Sequence, residues 1–289
     1  MHSISNNFLS VQIANKGAEL QSIYNKQHNL EYLWNGDPAI WGKKSPVLFP
    51  IVGELKDHVY VYNGKKYALS RHGFAREMEF EVTEQTETSI TFSIHSDEKT
   101  LSIYPFEFIF SVRYMLAENA LHVTYTVENK GNETMYFSVG GHPAFKVPLV
   151  EGTTFEDYQL VFDEKETLER WPISSEGLIE TSPAPFLKNE SAVSLRKELF
   201  SADAIVFKNL RSTGVSIKSE KTPHGLTVVF KDFPYLGIWE TKGGDFVCIE
   251  PWCGIADSVN TSGKLEEKEG INTLSASNVF KVSFTIEVL

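Results

Sequence analysis

Apolar and polar residues alternate at period two through most of this chain. Phe8-Leu9-Ser10-Val11-Gln12-Ile13 alternates, Asn15-Lys16-Gly17 interrupts, and Ala18-Glu19-Leu20-Gln21-Ser22-Ile23-Tyr24 resumes. The same pattern runs through Glu79–Glu84, Ser89–Ile94, Phe106–Tyr114, Ala120–Val127, Gly214–Lys218, Leu226–Phe230 and Val279–Ile286. Such alternation predicts strands with one buried and one wetted face. Asn63-Gly64 separates Val59-Tyr60-Val61-Tyr62 from Lys65-Lys66-Tyr67-Ala68-Leu69. Asn-Gly tolerates positive φ at both central positions of a type I′ turn, so a hairpin is predicted there.

Helical periodicity is almost absent. Asp97–Leu101 and Leu195–Phe200 suffice for one turn each, and Gly263–Gly270 reads as a charged surface excursion. Val150 to Glu190 is richer in Pro, Ser and Glu but contains the strand-like Tyr158–Phe162, which makes it a set of long inter-strand loops and not a linker. Many strands in succession without helices predict an all-β fold, a large sandwich formed by residues 1–289 as a single domain.

Composition narrows the class. The chain has 289 residues, 42% hydrophobic and 22% charged, with Phe 20, Tyr 11 and Trp 5. That is enough to bury a sizeable core and rich in residues that favour sheets. A formal charge of −11 gives no field that would draw nucleic acid or an anionic membrane. No apolar run approaches the 18 or so residues of a membrane span. The opening Met1–Asn7 has neither a basic nor an apolar stretch, so a secretory signal is not expected and a cytoplasmic protein is. Cys248 and Cys253 are the only cysteines; their spacing is not a zinc pattern and they are too few for a disulfide scaffold, so both are expected as buried, reduced thiols.

Three stretches concentrate chemistry. Ser138-Val139-Gly140-Gly141-His142-Pro143-Ala144-Phe145 places a histidine between paired glycines and a proline that ends the strand. Arg71-His72-Gly73-Phe74-Ala75-Arg76 sets a second histidine between two arginines, directly after the Asn-Gly hairpin. Cys248-Ile249-Glu250-Pro251-Trp252 ends an apolar strand on a carboxylate beside an indole, where desolvation raises its pKa and makes a general base of it. Each feature alone is compatible with a structural role: a satisfied histidine, a carboxylate capping a strand, a solvated arginine. His2, His28, His58, His95, His122 and His224 have no comparable context.

Taken together, these stretches resemble the aldose 1-epimerase (galactose mutarotase) superfamily. The resemblance is carried, in order along nearly the whole chain, by Gly17–Ser22, Lys44-Ser45-Pro46-Val47-Leu48-Phe49-Pro50-Ile51-Val52-Gly53, Asn63–Leu69, His72-Gly73-Phe74-Ala75-Arg76, Gly141-His142-Pro143-Ala144-Phe145 and Ile249-Glu250-Pro251-Trp252. In detail the chain is similar to the bacterial branch between galactose mutarotases and hexose-6-phosphate 1-epimerases. The resemblance implies a β-supersandwich with an open sugar-binding cleft across one sheet, a small-molecule sugar as partner, and no cofactor or metal. A monomer or weak dimer is expected.

It also implies roles. Glu250 would be the base and His142 the acid in opening and reclosing a cyclic hemiacetal, with His72 steadying the charge that develops near the ring oxygen. Asp203, in Ala202–Phe207, would bind hydroxyls, and Trp239 and Trp252 would stack on the sugar's C–H face. Galactose mutarotases carry a further arginine where this chain has Lys56, so Arg71 or Lys44 would take over that anchoring. The glycines before His142 would leave room for substrate. Arg71, Arg76, Lys43 and Lys44 raise the alternative of a 6-phosphate substrate, since arginine's planar fork suits phosphate oxygens. A free hexose is the preferred reading. The competing class is a non-catalytic sugar-binding or sugar-sensing protein on the same fold.

Overall fold

The computed structural model describes residues 1–289, and the chain forms three large antiparallel sheets with three two-stranded ones beside them. The largest has nine strands, in the order Glu190–Ser194, Tyr158–Glu166, Gly214–Ser219, Thr222–Val229, Val279–Val288, Ala120–Asn129, Phe108–Ala117, Ser89–His95 and Glu81–Gln85. A four-stranded sheet is built from His2–Ser5, Leu9–Ile13, Leu20–Asn25 and Leu30–Glu31. The third sheet runs Ile205–Lys208, Tyr235–Trp239, Phe246–Cys253, Val139–Gly141 and Val47–Leu48, with Ala144–Lys146 also pairing to Phe246–Cys253.

Apolar faces of all three sheets meet in one core of 65 buried residues. The alternation does this directly: along Phe108–Ala117 every second side chain, from Phe108 to Leu116, enters the core. Phe49, from the third sheet's edge, stacks on Phe110 of the nine-stranded sheet at 4.5 Å between ring centroids. The outward face of the large sheet is a ladder of short polar pairs, among them Thr124 with Ser283 (2.8 Å), Ser93 with Ser111 (2.7 Å) and His122 Nδ1 with the Thr285 hydroxyl (2.9 Å).

The predicted hairpin forms between Val59–Tyr62 and Lys65–Ala68, with Asn63 at φ 48° and Gly64 at φ 73°. The two weak helical stretches become a single capped turn, Glu98–Ile103, and a 3-10 turn, Lys197–Phe200. Asp97 caps the first through the Thr100 amide. Both cysteines are free and buried. The Gly263–Gly270 stretch departs from the expected surface excursion at Lys268, which is buried and pairs with buried Asp257 at 2.7 Å. Asp257 also accepts the Lys56 amide, so a run that looks fully solvated by composition carries one inward cation.

Candidate functional site

The register of the third sheet builds the site. Gly140 pairs with Trp252 and Ala144 with Cys248, so His142, halfway between, falls opposite Glu250. Their side chains meet at 3.4 Å between His142 Nε2 and a Glu250 carboxylate oxygen. On the other flank Gly237 pairs with Glu250, Trp239 with Cys248, and Val206 with Gly237. One row across the sheet therefore reads Val206, Gly237, Glu250, His142, and the next places Trp239, Cys248 and Ala144 side by side. Period two puts Cys248, Glu250 and Trp252 on the same face.

That face floors a cavity of about 300 Å³ whose walls include Trp41, Arg71, His72, Arg76, His142, Asp203, Trp239, Glu250 and Trp252, with Ile173, Ile179 and Val206 on the apolar side. Eight of the nine residues singled out from sequence converge here. Lys44 is the exception. Its Nζ donates to the Gln21 carbonyl (2.9 Å), while its amide and that of Ser45 donate to the buried Glu19 carboxylate. Glu19 thus holds the backbone at 44–45, whose Lys44 carbonyl accepts from the Ala144 amide (2.9 Å), while the Lys44 side chain turns to Gln21 and away from the cavity. Lys43 pairs with Glu77 and Lys56 reaches the Val259 carbonyl, so neither lysine serves the cavity.

The paired glycines need a different explanation from room for substrate. A Cβ on Gly140 would sit 2.7 Å from the Trp252 indole, and one on Gly141 would sit 2.8 Å from the Tyr125 hydroxyl. They admit the protein's own packing. Gly237 does the same more severely: a Cβ there would overlap the six-membered ring of Trp252. Trp252 is therefore pressed into the sheet as floor, among Leu48, Val52, Val206 and Ala256, whereas Trp239 remains partly open to the cavity.

His72 is held at φ 66°, a left-handed conformation rare for a side chain of this size. Two reciprocal bonds keep it there: its amide donates to the Gly53 carbonyl (2.8 Å) and its Nδ1 accepts from the Gly53 amide (3.1 Å). Because Nδ1 accepts, the ring proton sits on Nε2, and His72 is a donor. The ring lies 5.7 Å from that of His142, edge to face. Arg71 Nε is 3.7 Å from Glu54 and its Nη2 is 4.0 Å from Asp203. Arg76 donates to the Arg71 carbonyl (2.9 Å).

Trp41 was not singled out by the sequence reading. Its ring stacks on His142 at 5.1 Å, while Trp239 meets the same imidazole edge-on at 5.5 Å. The available signal was an indole in the Gly- and Pro-containing loop Gly36–Gly42, where no strand exists to bury it.

Burial shapes the electrostatics. Desolvation pushes Glu250 well above the usual carboxylate range; the Trp252 indole offsets part of this without forming a hydrogen bond of ordinary geometry, the Asp203 charge adds to it, and Arg71 opposes it. Desolvation pushes His142 down to about 3 and carries His72 well below 6.5, with His142 and the two arginines adding to the effect on His72. Burial thus favours the uncharged form of both partners, carboxylic acid and neutral imidazole. Three residues that line the cavity each have a buried polar atom without a partner: Arg76 Nε, His142 Nδ1 and Trp252 Nε1. Buried polar groups rarely go unpaired, so their concentration around one cavity sets it apart from the rest of the fold.

The sequence comparison agrees with this geometry. A family model described as aldose 1-epimerase matches residues 1–270. The chain belongs to the aldose 1-epimerase family. A curated relative of this family member, protein LacX of Lactococcus lactis subsp. lactis, is 37% identical, covering 99% of this chain and 98% of its own. Among solved structures, a galactose mutarotase related enzyme from Lactobacillus acidophilus superposes with a TM-score of 0.94 at 39% identity, covering 100% of this chain and 97% of that one. A galactose mutarotase-like protein from Lactobacillus casei gives 0.94 at 32% identity, covering 100% of both chains. The epimerase fold is thus the nearly all-β supersandwich of these proteins, and the family's small sugar substrates suit the cavity's scale. No helix is long and apolar enough to cross a membrane.

Proposed function

We propose that the chain is an aldose 1-epimerase that interconverts the α and β anomers of a free hexose. The observation that carries this reading is the cross-strand pair His142–Glu250, 3.4 Å apart and buried at the floor of a cavity. Glu250 removes the proton of the C1 hydroxyl as His142 donates one to the ring oxygen, and the C1–O5 bond breaks. The resulting aldehyde turns about C1–C2. On closure the O5 hydroxyl attacks the other face of C1, His142 recovers its proton, and Glu250 returns one to the new C1 oxygen. Nothing is consumed, and the groups exchange roles between the two halves.

In the empty site burial favours the neutral tautomer, carboxylic acid with imidazole. The tautomer with carboxylate and imidazolium has the same proton count, so sugar hydroxyls donating to Glu250 bring it forward without a proton from solvent. His72 Nε2–H supplies a donor beside His142 for the developing charge. Asp203 and the Arg71 fork are offered to ring hydroxyls, and Trp41 and Trp239 give apolar surface for C–H groups.

The preference for a free sugar over a 6-phosphate rests on Arg71, whose charge is answered by Glu54 and Asp203. Arg76 is the observation that favours the 6-phosphate, since it is a second arginine lining the same cavity. NMR anomer exchange with glucose, galactose and their 6-phosphates separates these readings. Acceleration over buffer with a free hexose that Glu250→Gln removes is the expected result. Sugar binding without exchange would replace the reaction by a binding function, and acceleration of the phosphates alone would replace the substrate.

A further inference from the structure

Cys248 is the neighbour of Glu250 for which anomer exchange has no use, buried just behind the cavity wall among Trp34, Ala144 and Phe246. It stands one pleat from Glu250 on the same face of the Phe246–Cys253 strand, and it is a free, fully buried thiol. One ring nitrogen of His142, the Cys248 sulfur and one Glu250 oxygen all lie within 4.8 Å of one another. The placement follows from pairing: Cys248 and Glu250 are i and i+2 on one strand, and His142 hangs over Glu250 from the strand beside it.

Donor chemistry selects the ligand. A thiolate, an imidazole and a single carboxylate suit a borderline or soft divalent ion and suit magnesium or calcium poorly, since those require several oxygens. Zinc bonds of about 2.0–2.3 Å in a tetrahedron separate ligand atoms by roughly 3.3–3.7 Å. The His142–Glu250 pair, at 3.4 Å, already has that separation. The Cys248 sulfur lies within 4.8 Å of both. An ion held there has three protein ligands and a fourth position facing the cavity, as in three-ligand zinc sites.

We infer that His142, Cys248 and Glu250 form a binding site for a thiophilic divalent cation such as Zn²⁺, and that the ion and the sugar exclude each other. Binding forms one bond each to sulfur, nitrogen and oxygen. It releases the thiol proton and the Glu250 carboxyl proton, with no change of oxidation state. The exclusion rests on the proposed acid–base role of His142 and Glu250; the binding does not. The sequence conceals this site because the relevant spacing runs from Cys248 to Glu250 and across to His142, and not from one cysteine to the other.

Titration of the full chain with Co²⁺ tests the binding directly. A thiolate-to-cobalt charge-transfer band in the near ultraviolet, displaced by Zn²⁺, is expected in the native protein and in Cys253→Ser, and is expected to vanish in Cys248→Ser and Cys248→Ala. Near-ultraviolet circular dichroism checks that each variant is folded, and having two replacements at 248 guards against one of them failing. No band in the native protein, or a band that persists in a folded Cys248 variant, overturns the site. For the exclusion, Zn²⁺ is expected to slow anomer exchange in the native protein, and at least about tenfold more Zn²⁺ is expected to be needed in Cys248→Ser for the same fractional loss. Equal sensitivity overturns it. A protein that exchanges no anomers at all sinks the proposed function while the cobalt band still decides the site.

Discussion

Two strands of this molecule are built from the same alternating backbone and used in opposite ways. Phe108–Ala117, in the nine-stranded sheet, alternates between core and surface, and its outward polar side chains meet water, a neighbouring hydroxyl or, for Arg113, the Glu84 carboxylate. Phe246–Cys253, in the third sheet, is buried at every position, yet one of its faces carries Cys248, Glu250 and the Trp252 indole nitrogen. A strand that hides polar groups from water on a face with a cavity above it has been shaped for something that enters the cavity. The large sheet holds the fold; the small one holds unsatisfied chemistry.

The comparison breaks hardest at Glu250. Glu250→Gln is expected to lower the rate of anomer exchange by about 10²–10⁴ with the fold intact, as read by NMR exchange and circular dichroism. Full activity in that variant would make the polar face of Phe246–Cys253 incidental. Next comes Lys268→Met, which leaves Asp257 buried without its cation and is expected to cost about 3–5 kcal/mol in denaturant unfolding. Adding Asp257→Leu should recover most of that loss, because burying neither charge is cheaper than burying one. Gly237→Ala forces Trp252 off its seat and is expected to cost about 1–3 kcal/mol, with a change in tryptophan fluorescence.

Acid stability sharpens the contrast through the histidines. An unfolded histidine takes up a proton below about 6.5, whereas folded His142 does so only near 3, and folded His72 well below 6.5. The unfolded chain therefore binds more protons in that window, and each histidine contributes up to about 1.4 kcal/mol per pH unit of stability lost as pH falls. Glu250 acts with the opposite sign above 4.5, since the folded carboxyl keeps a proton the unfolded one releases. Stability should thus decline gently from 6.5 to 4.5 and more steeply below. His142→Asn should flatten the lower limb in pH-dependent denaturation. On the wetted ladder of the large sheet Thr124→Ala is expected to change stability by no more than about 0.5 kcal/mol, with anomer exchange at the native rate.

Strand positions and the hairpin were legible because period-two alternation and Asn-Gly report local physics. The site was legible residue by residue, through His72, His142, Glu250, Arg71 and Asp203, but not as geometry. That His142 stands opposite Glu250 depends on pairing Gly140 with Trp252, two segments more than a hundred residues apart in sequence. Lys44 was misplaced for a comparable reason: the carboxylate that captures its backbone, Glu19, lies twenty-five residues earlier in the chain. Paired glycines announce a close approach without saying to what, and here they meet Trp252 and Tyr125. Lys268 looked solvated among its charged neighbours because only the fold brings Asp257 beneath it.

The order of strands in the large sheet sets a schedule for making it. Val279–Val288 lies between Ala120–Asn129 on one side and Thr222–Val229 on the other, so it joins two groups of strands that are synthesised before it. Until residues 279–288 leave the ribosome, both groups present an open edge able to pair with another chain. Closure of this sheet is a late event in biosynthesis, and the interval before it is when the nascent chain most needs shielding from its own kind.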